Sequence, residues 1–181
     1  MSAQTHIPEY NSNTPAQPPS SIVVHSQSQV LELGYDAGAA RLPFEFLRVY
    51  SPSAEVVGHG PGQEVLQVGK RGVTITGLEP VGLYAVKPTF SDGHASGIFS
   101  WGYLRWLADH QAALWQDYLD RLAAAGASRD PDPNAAPTPS ASGCASHGKS
   151  ASPAAQAPAS ASSSSLSTGN GKTFTAKIES I

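Results

Sequence analysis

The residues best suited to metal or nucleophilic chemistry are six histidines and a single cysteine. His59 lies inside the run Gly58-His59-Gly60-Pro61-Gly62, and His94 directly follows the turn-forming pair Asp92-Gly93. Two loop histidines meeting in space, with Asp92 or Glu55 beside them, would make a metal site. Cys144 and His147 have a C-x-x-H ligand spacing, but two donors in an Ala/Ser/Pro-rich stretch hold a metal only weakly. The glycine run does not read as a phosphate cradle. No Gly-Lys-Ser or Gly-Lys-Thr follows it, Pro61 lacks an amide, and the next residues alternate like a strand. Nucleophilic catalysis has no support either: Cys144 has no base to hold beside it, and no serine sits in a G-x-S-x-G elbow. Glu55 and Glu64 have no sequence context that would raise a carboxyl pKa. An iron-binding H-x-[DE] start is absent, because the residues two beyond each histidine are Pro8, Gln27, Pro61, Ser96, Ala112 and Lys149. No catalytic residue is assigned.

The bulk properties narrow the setting. The chain has 181 residues and a formal net charge of -3, so it lacks the basic footprint of a nucleic-acid binder. No apolar run approaches the roughly 20 residues that span a bilayer. The first ten residues have neither a basic start nor an apolar stretch, so no secretory signal is expected. One cysteine allows no intrachain disulfide. These features predict a cytoplasmic location and exclude membrane partners.

Composition divides the chain at two places. Residues 1–20 are polar and contain T-P-A-Q-P-P-S-S, which predicts a disordered lead. Residues 128–181 are dominated by Ala, Ser and Pro, and predict a disordered tail. Near its end, Phe174, Ala176 and Ile178 alternate with a strand period, which reads as an addition to a sheet edge, a short docking peptide or a frayed tail. The folded domain is expected over 21–127. Ile22 to His25 and Val30 to Tyr35 read as a hairpin about S-Q-S-Q, and Ala39 to Leu42 as a returning strand. Pro43 suits the start of a short helix through F-E-F-L-R-V. Val73 to Thr76 and Leu83 to Phe90 read as strands, with a tight turn at Asp92-Gly93. Ser100 can cap one long helix whose apolar positions run from Trp101 to Leu122, with Gly126 as its stop. At this spacing the tryptophans read as core. The predicted fold is α+β: a small, mainly antiparallel sheet with a long C-terminal helix packed on it, flanked by disordered tails.

Three stretches carry a resemblance. L-P-F-E-F-L-R-V-Y-S-P-S-A-E-V-V-G-H-G-P-G-Q at 42–63, L-E-P-V-G-L-Y-A-V-K-P-T-F-S-D-G-H-A-S-G-I-F-S-W at 78–101 and the helical L-W-Q-D-Y-L are similar to the gamma-butyrobetaine hydroxylase-like N-terminal domain family. The likeness covers residues 22 to 125. In carnitine-pathway hydroxylases this domain precedes the catalytic barrel and supplies none of its iron ligands. A related copy is appended to a P-loop scaffold that carries iron–sulfur clusters, and bacterial copies stand alone. The resemblance also implies a position for a zinc site, built in the hydroxylases from C-x-C-x-x-C after an L-R element and a later histidine. Here those positions fall on Ser51, Ser53, Val56 and His94, so the family zinc site is expected to be absent.

The expected function is therefore a non-catalytic binding or adaptor module, linked through the resemblance to iron–sulfur or iron-dependent enzymes. Its expected partner is a protein, of the iron–sulfur or oxygenase kind. One alternative is a metal-binding accessory protein that holds iron through His59 and His94; another is an accessory subunit of an oxidoreductase. The expected binding surface comprises Arg48, Tyr50, Ser51, Ser53, His59, Lys70, Lys87, Asp92 and His94.

Overall fold

A computed structural model describes residues 8–12, 16–58 and 64–131, and the backbone of 176–179. His59, Cys144 and His147 lie outside these described residues. The first sheet begins with β1 (Ser21–His25) and β2 (Val30–Tyr35), an antiparallel pair about the expected four-residue turn. Gln29 closes that turn at φ 54, a left-handed conformation unusual for a residue with a side chain. β3 (Gly38–Pro43) returns antiparallel along β2, with Leu31 opposite Leu42. Alternation explains why these segments are strands. Ile22 and Val24, Leu31 and Leu33, and Leu42 all point into the core, while their neighbours remain partly or fully exposed. A further strand, β7 (Ala176–Glu179), lies parallel to β1 on its outer side, giving the order β3-β2-β1-β7.

The helix α1 (Phe44–Val49) follows β3 without a loop, and Pro43 precedes it as N-cap with ψ 144. The proline ring fits there because its missing N–H is not needed. Phe44, Phe46 and Leu47 fill the core above the first sheet. A four-residue helix, α2 (Ala54–Val57), comes next.

The second sheet is separate from the first, which corrects the single-sheet expectation. β4 (Ile75–Val81) and β5 (Ala85–Phe90) form a hairpin, and the two-residue β6 (Phe99–Ser100) adds to β5. Gly82, at φ 54, turns the hairpin through Leu83 and Tyr84, so the strand starts at Ala85 rather than Leu83. Asp92-Gly93 does form a tight turn, closed by Gly93 N–H donating to the Phe90 carbonyl at 3.0 Å.

The long helix is also two helices. Ser100 caps α3 (Trp101–Asp109) by accepting from the Tyr103 N–H, as its sequence position suggested. α4 (Gln111–Ala124) then begins after His110, whose backbone sits at φ -112, ψ 10. The His110 imidazole Nδ1 donates to the Trp106 carbonyl at 2.8 Å, the same oxygen that accepts the His110 N–H at 3.1 Å. That carbonyl thus carries two donors at the junction, where the His110 backbone leaves the helical region. The buried positions Trp101, Leu104 and Leu107, then Leu114, Tyr118 and Leu122, keep one face across the break. Periodicity alone therefore could not reveal it.

Both sheets and both long helices share one core, extending from Ile22 to Leu114. A smaller cluster of Val49, Tyr118 and Leu122 adjoins it. Full burial of a residue such as Leu33 or Leu104 contributes about 1.5–3 kcal/mol. Residues 128–130, assigned by composition to the tail, are held to the domain: Gly69 and Arg71 donate to the Ser128 and Arg129 carbonyls. Among the described residues no helix is long and apolar enough to cross a membrane.

Candidate functional site

Two features converge on the segment between α1 and β4. One is an internal polar chain; the other is an open cleft beside it. The internal chain begins where α1 ends. His94, carried by the turn after β5, is 6% exposed and receives Ser51 at its Nε2, 2.8 Å away. Its Nδ1 lies 3.2 Å from a carboxylate oxygen of Glu55, on α2. A carboxylate can only accept, so Nδ1 carries the proton and donates to Glu55, and the Ser51 hydroxyl donates to Nε2. Burial, together with the nearby Arg48 charge, lowers the His94 pKa; Glu55 and Asp92 only partly offset this. The ring is thus neutral near pH 7.

Ser51, His94 and Glu55 meet in the same order of contacts as a serine-hydrolase triad. Ser51 is only 1% exposed, however, so a substrate carbonyl cannot reach its oxygen without local opening. Gly97 packs so closely there that a Cβ on it would run into Ser51 Oγ. The arrangement is a packing device in which a small residue admits a hydrogen-bonded pair. Ser53, 4% exposed, sits at the N-cap of α2 but makes no capping bond, and its hydroxyl has no hydrogen-bond partner.

These positions also test the family zinc site. Ser51 is engaged by His94, Ser53 offers one orphaned neutral hydroxyl, and Val56 has no donor atom. Zinc needs thiolate, imidazole or carboxylate ligands, so the residues present do not fit it. Among the described residues no group of three or more His, Cys, Asp and Glu is placed to hold a metal.

A second polar group lies alongside. Arg48, 7% exposed on α1, donates through Nε to Asp92 Oδ2 at 2.8 Å and through Nη1 to Gln67 at 3.0 Å. Lys70 donates to the same Asp92 oxygen at 2.8 Å, and the His94 N–H approaches Oδ1 at 3.3 Å. Burial alone would raise the Asp92 carboxyl, but the Lys70 hydrogen bond and the Arg48 and Lys70 charges hold it below its usual value. Gln67 continues the network, its carbonyl accepting from Tyr118 at 2.8 Å. α1, the 64–70 segment, the β5 turn and α4 are thereby tied together.

The cleft has a volume of about 1110 Å³ and is lined by Tyr50, Tyr103, Trp106, Leu114 and Tyr118. Hydrogen bonds fix its aromatic wall: Tyr50 donates to the Leu114 carbonyl at 2.5 Å and Tyr103 to the Tyr50 carbonyl at 2.9 Å. Burial pushes the Tyr50 and Tyr118 hydroxyls up to about 12, so both remain protonated donors at neutral pH. At the rim Val57, Val65 and Ile98 are 45%, 54% and 46% exposed. The charged lining is mostly acidic: Glu9, Glu64, Asp117 and Asp120 outnumber Arg121.

The expected surface residues therefore separate. Arg48, Ser51, Ser53 and His94 are interior, Tyr50 forms cleft wall, and Lys70 and Asp92 belong to the ion network. Lys87 pairs with Glu79 across the β4–β5 hairpin and does not line the cleft. His59 is outside the described residues; Val56 and Val65, on either side of it in the sequence, are joined by the Val65 N–H donating to the Val56 carbonyl. Sequence reasoning did not single out Gln67 or Tyr103; it read Tyr118 and Trp106 as helix core, and Tyr118 is fully buried while Trp106 packs against the core. For Tyr103 and Tyr118 the available signal was chemical: a tyrosine at a helix position has a hydroxyl that must find a partner or a wet edge.

Together these features define a small α+β domain that spends its buried polar residues on internal bonding and leaves an aromatic cleft open. The chain belongs to the gamma-butyrobetaine hydroxylase-like N-terminal domain family, whose model matches residues 22–105. A protein with an NMR solution structure is 53% identical, over 65% of this chain and 94% of its own, with a TM-score of 0.59. A second NMR structure is 48% identical, over 66% and 89% of the two chains, with a TM-score of 0.56. A DUF971-family protein of unknown function from Acidithiobacillus ferrooxidans, solved by crystallography at 1.93 Å, is 42% identical over 50% and 91%, with a TM-score of 0.41. No curated protein matches the chain.

Proposed function

We propose that this protein is a non-catalytic binding module that receives an apolar segment of a protein partner in the Tyr50–Trp106 cleft. The observation behind this reading is the exposed rim of Val57, Val65 and Ile98 around an aromatic recess whose Tyr50, Tyr103 and Tyr118 hydroxyls are hydrogen-bonded. Apolar residues exposed around a preformed aromatic cleft are the usual anatomy of a peptide-receiving surface. The acidic lining favours a partner with basic residues flanking its apolar anchors. The partner class suggested by the family, an iron–sulfur or iron-dependent enzyme, enters as a proposal through the resemblance alone.

A metal-binding role through His59 and His94 is less favoured, because both His94 ring nitrogens are already engaged. The test is to identify a partner by crosslinking from a photoreactive residue at position 57 or 98. Binding is then remeasured by calorimetry with Ile98→Glu and Val65→Glu. Loss of at least tenfold in affinity with unchanged unfolding midpoints supports the reading. Unchanged affinity, or crosslinks confined to residues away from the cleft, would overturn it.

A further inference from the structure

The outer edge of β1 carries a second, independent recognition feature; no β1 residue lines the cleft. An edge strand presents a row of unpaired backbone groups that invites another strand. Here β7 covers that edge, pairing parallel over Ile22↔Ala176, Val23↔Lys177, Val24↔Ile178 and His25↔Glu179. The register is chemically selective. Ala176 and Ile178 stand opposite Ile22 and Val24, the β1 residues buried in the core, whereas Lys177 and Glu179 stand opposite Val23 and His25. A one-residue slip would bring lysine and glutamate to the core-side positions, so the edge discriminates the pattern apolar–charged–apolar–charged.

β7 lies outside the family match, which ends at residue 105. Residues 132–175, rich in Ala, Ser and Pro, separate it from Pro131. A parallel partner needs a long connection of this kind. For four residues, the backbone bonds gained and the conformational freedom lost are of similar size, so such a strand is held marginally and can exchange.

We propose that the outer edge of β1 is a strand-docking site for a short parallel peptide, with residues 176–179 of this chain as its resident, displaceable ligand. The site takes that segment whether tethered or free. The test uses ¹⁵N-labelled full-length protein carrying Ile178→Pro, which removes a strand amide, and in parallel Ile178→Asp, which places a charge opposite Val24. In both variants alternate amides of Ser21–His25 exchange at least about tenfold faster than in the parent, while amides of Val30–Tyr35 paired with β3 keep their protection. A synthetic peptide of residues 173–181, added to either variant, shifts the β1 resonances and restores the protection; the same peptide with proline at position 178 does not. Unchanged β1 exchange in both variants overturns the proposal. So does a peptide that perturbs residues elsewhere, or a variant whose β1 pairs with a second copy and is not competed by the peptide.

Discussion

Asp92→Asn tests whether the buried ion network holds the domain together. The substitution keeps the shape and one carbonyl acceptor but removes the charge that faces Arg48, whose side chain is 8% exposed, and Lys70. A buried pair that loses one partner costs about 3–5 kcal/mol, because the remaining charge is left uncompensated. Asp92 is 22% exposed and Gln67 still accepts from Arg48, so solvent screening and that bond reduce the expected loss to about 2–3 kcal/mol. With total stability of about 5–15 kcal/mol for a domain of this size, the variant stays folded but visibly weakened. A urea slope of roughly 1.5 kcal/mol/M puts the midpoint about 1.3–2 M lower, read by fluorescence of Trp101, Trp106 and Trp115. Adding Arg48→Met should recover at least about 1 kcal/mol of the loss in a double-mutant cycle. The acid limb adds a second readout. Because the folded carboxyl lies below its usual 3.8, its contribution is complete above that pH and is lost as pH falls through the folded value. Asp92→Asn should flatten that part of the stability profile. A loss below about 0.5 kcal/mol, or purely additive singles, would refute the network argument.

Three further outcomes follow from the same geometry. Gly97→Ala places a methyl against Ser51 Oγ and the Phe99 ring and should cost about 1–3 kcal/mol, with loss of the Ser51–His94 bond visible in the His94 ¹⁵N shifts. The combined Ser51→Cys, Ser53→Cys, Val56→Cys variant should bind one zinc per chain by elemental analysis, and adding His94→Ala should weaken it, if the family positions are aligned as inferred. Arg129→Ala removes a bidentate pair with Glu45 and a guanidinium 4.7 Å over Trp115. Hydrogen exchange should report it as deprotection of the Gly69 and Arg71 amides, with a modest stability loss of about 1 kcal/mol because the pair is partly exposed.

Several elements were legible without coordinates because their causes are local. The β1–β2 hairpin follows from alternation on both sides of S-Q-S-Q, and the start of α3 from the hydroxyl of Ser100. The β4 strand was read only in part and its turn displaced, since Glu79, Pro80 and Gly82 weaken the strand pattern that pairing with β5 overrides. The break at His110 was invisible because the apolar face runs on unchanged across it.

The family and the α+β class were in the sequence, as was the reason a zinc site does not fit, because ligand chemistry is a property of residue types. What the tertiary structure alone decided was the company those residues keep. Ser51 and His94 are 43 positions apart, Arg48 and Asp92 are 44 apart, and Tyr50 meets Leu114 across 64. Contacts at such separations are set by how two sheets and two helices pack on one core. That packing placed Arg48, Ser51, Asp92 and His94, read as binding surface, in hydrogen-bonded networks, and put Tyr50 in the wall of the aromatic cleft beside them.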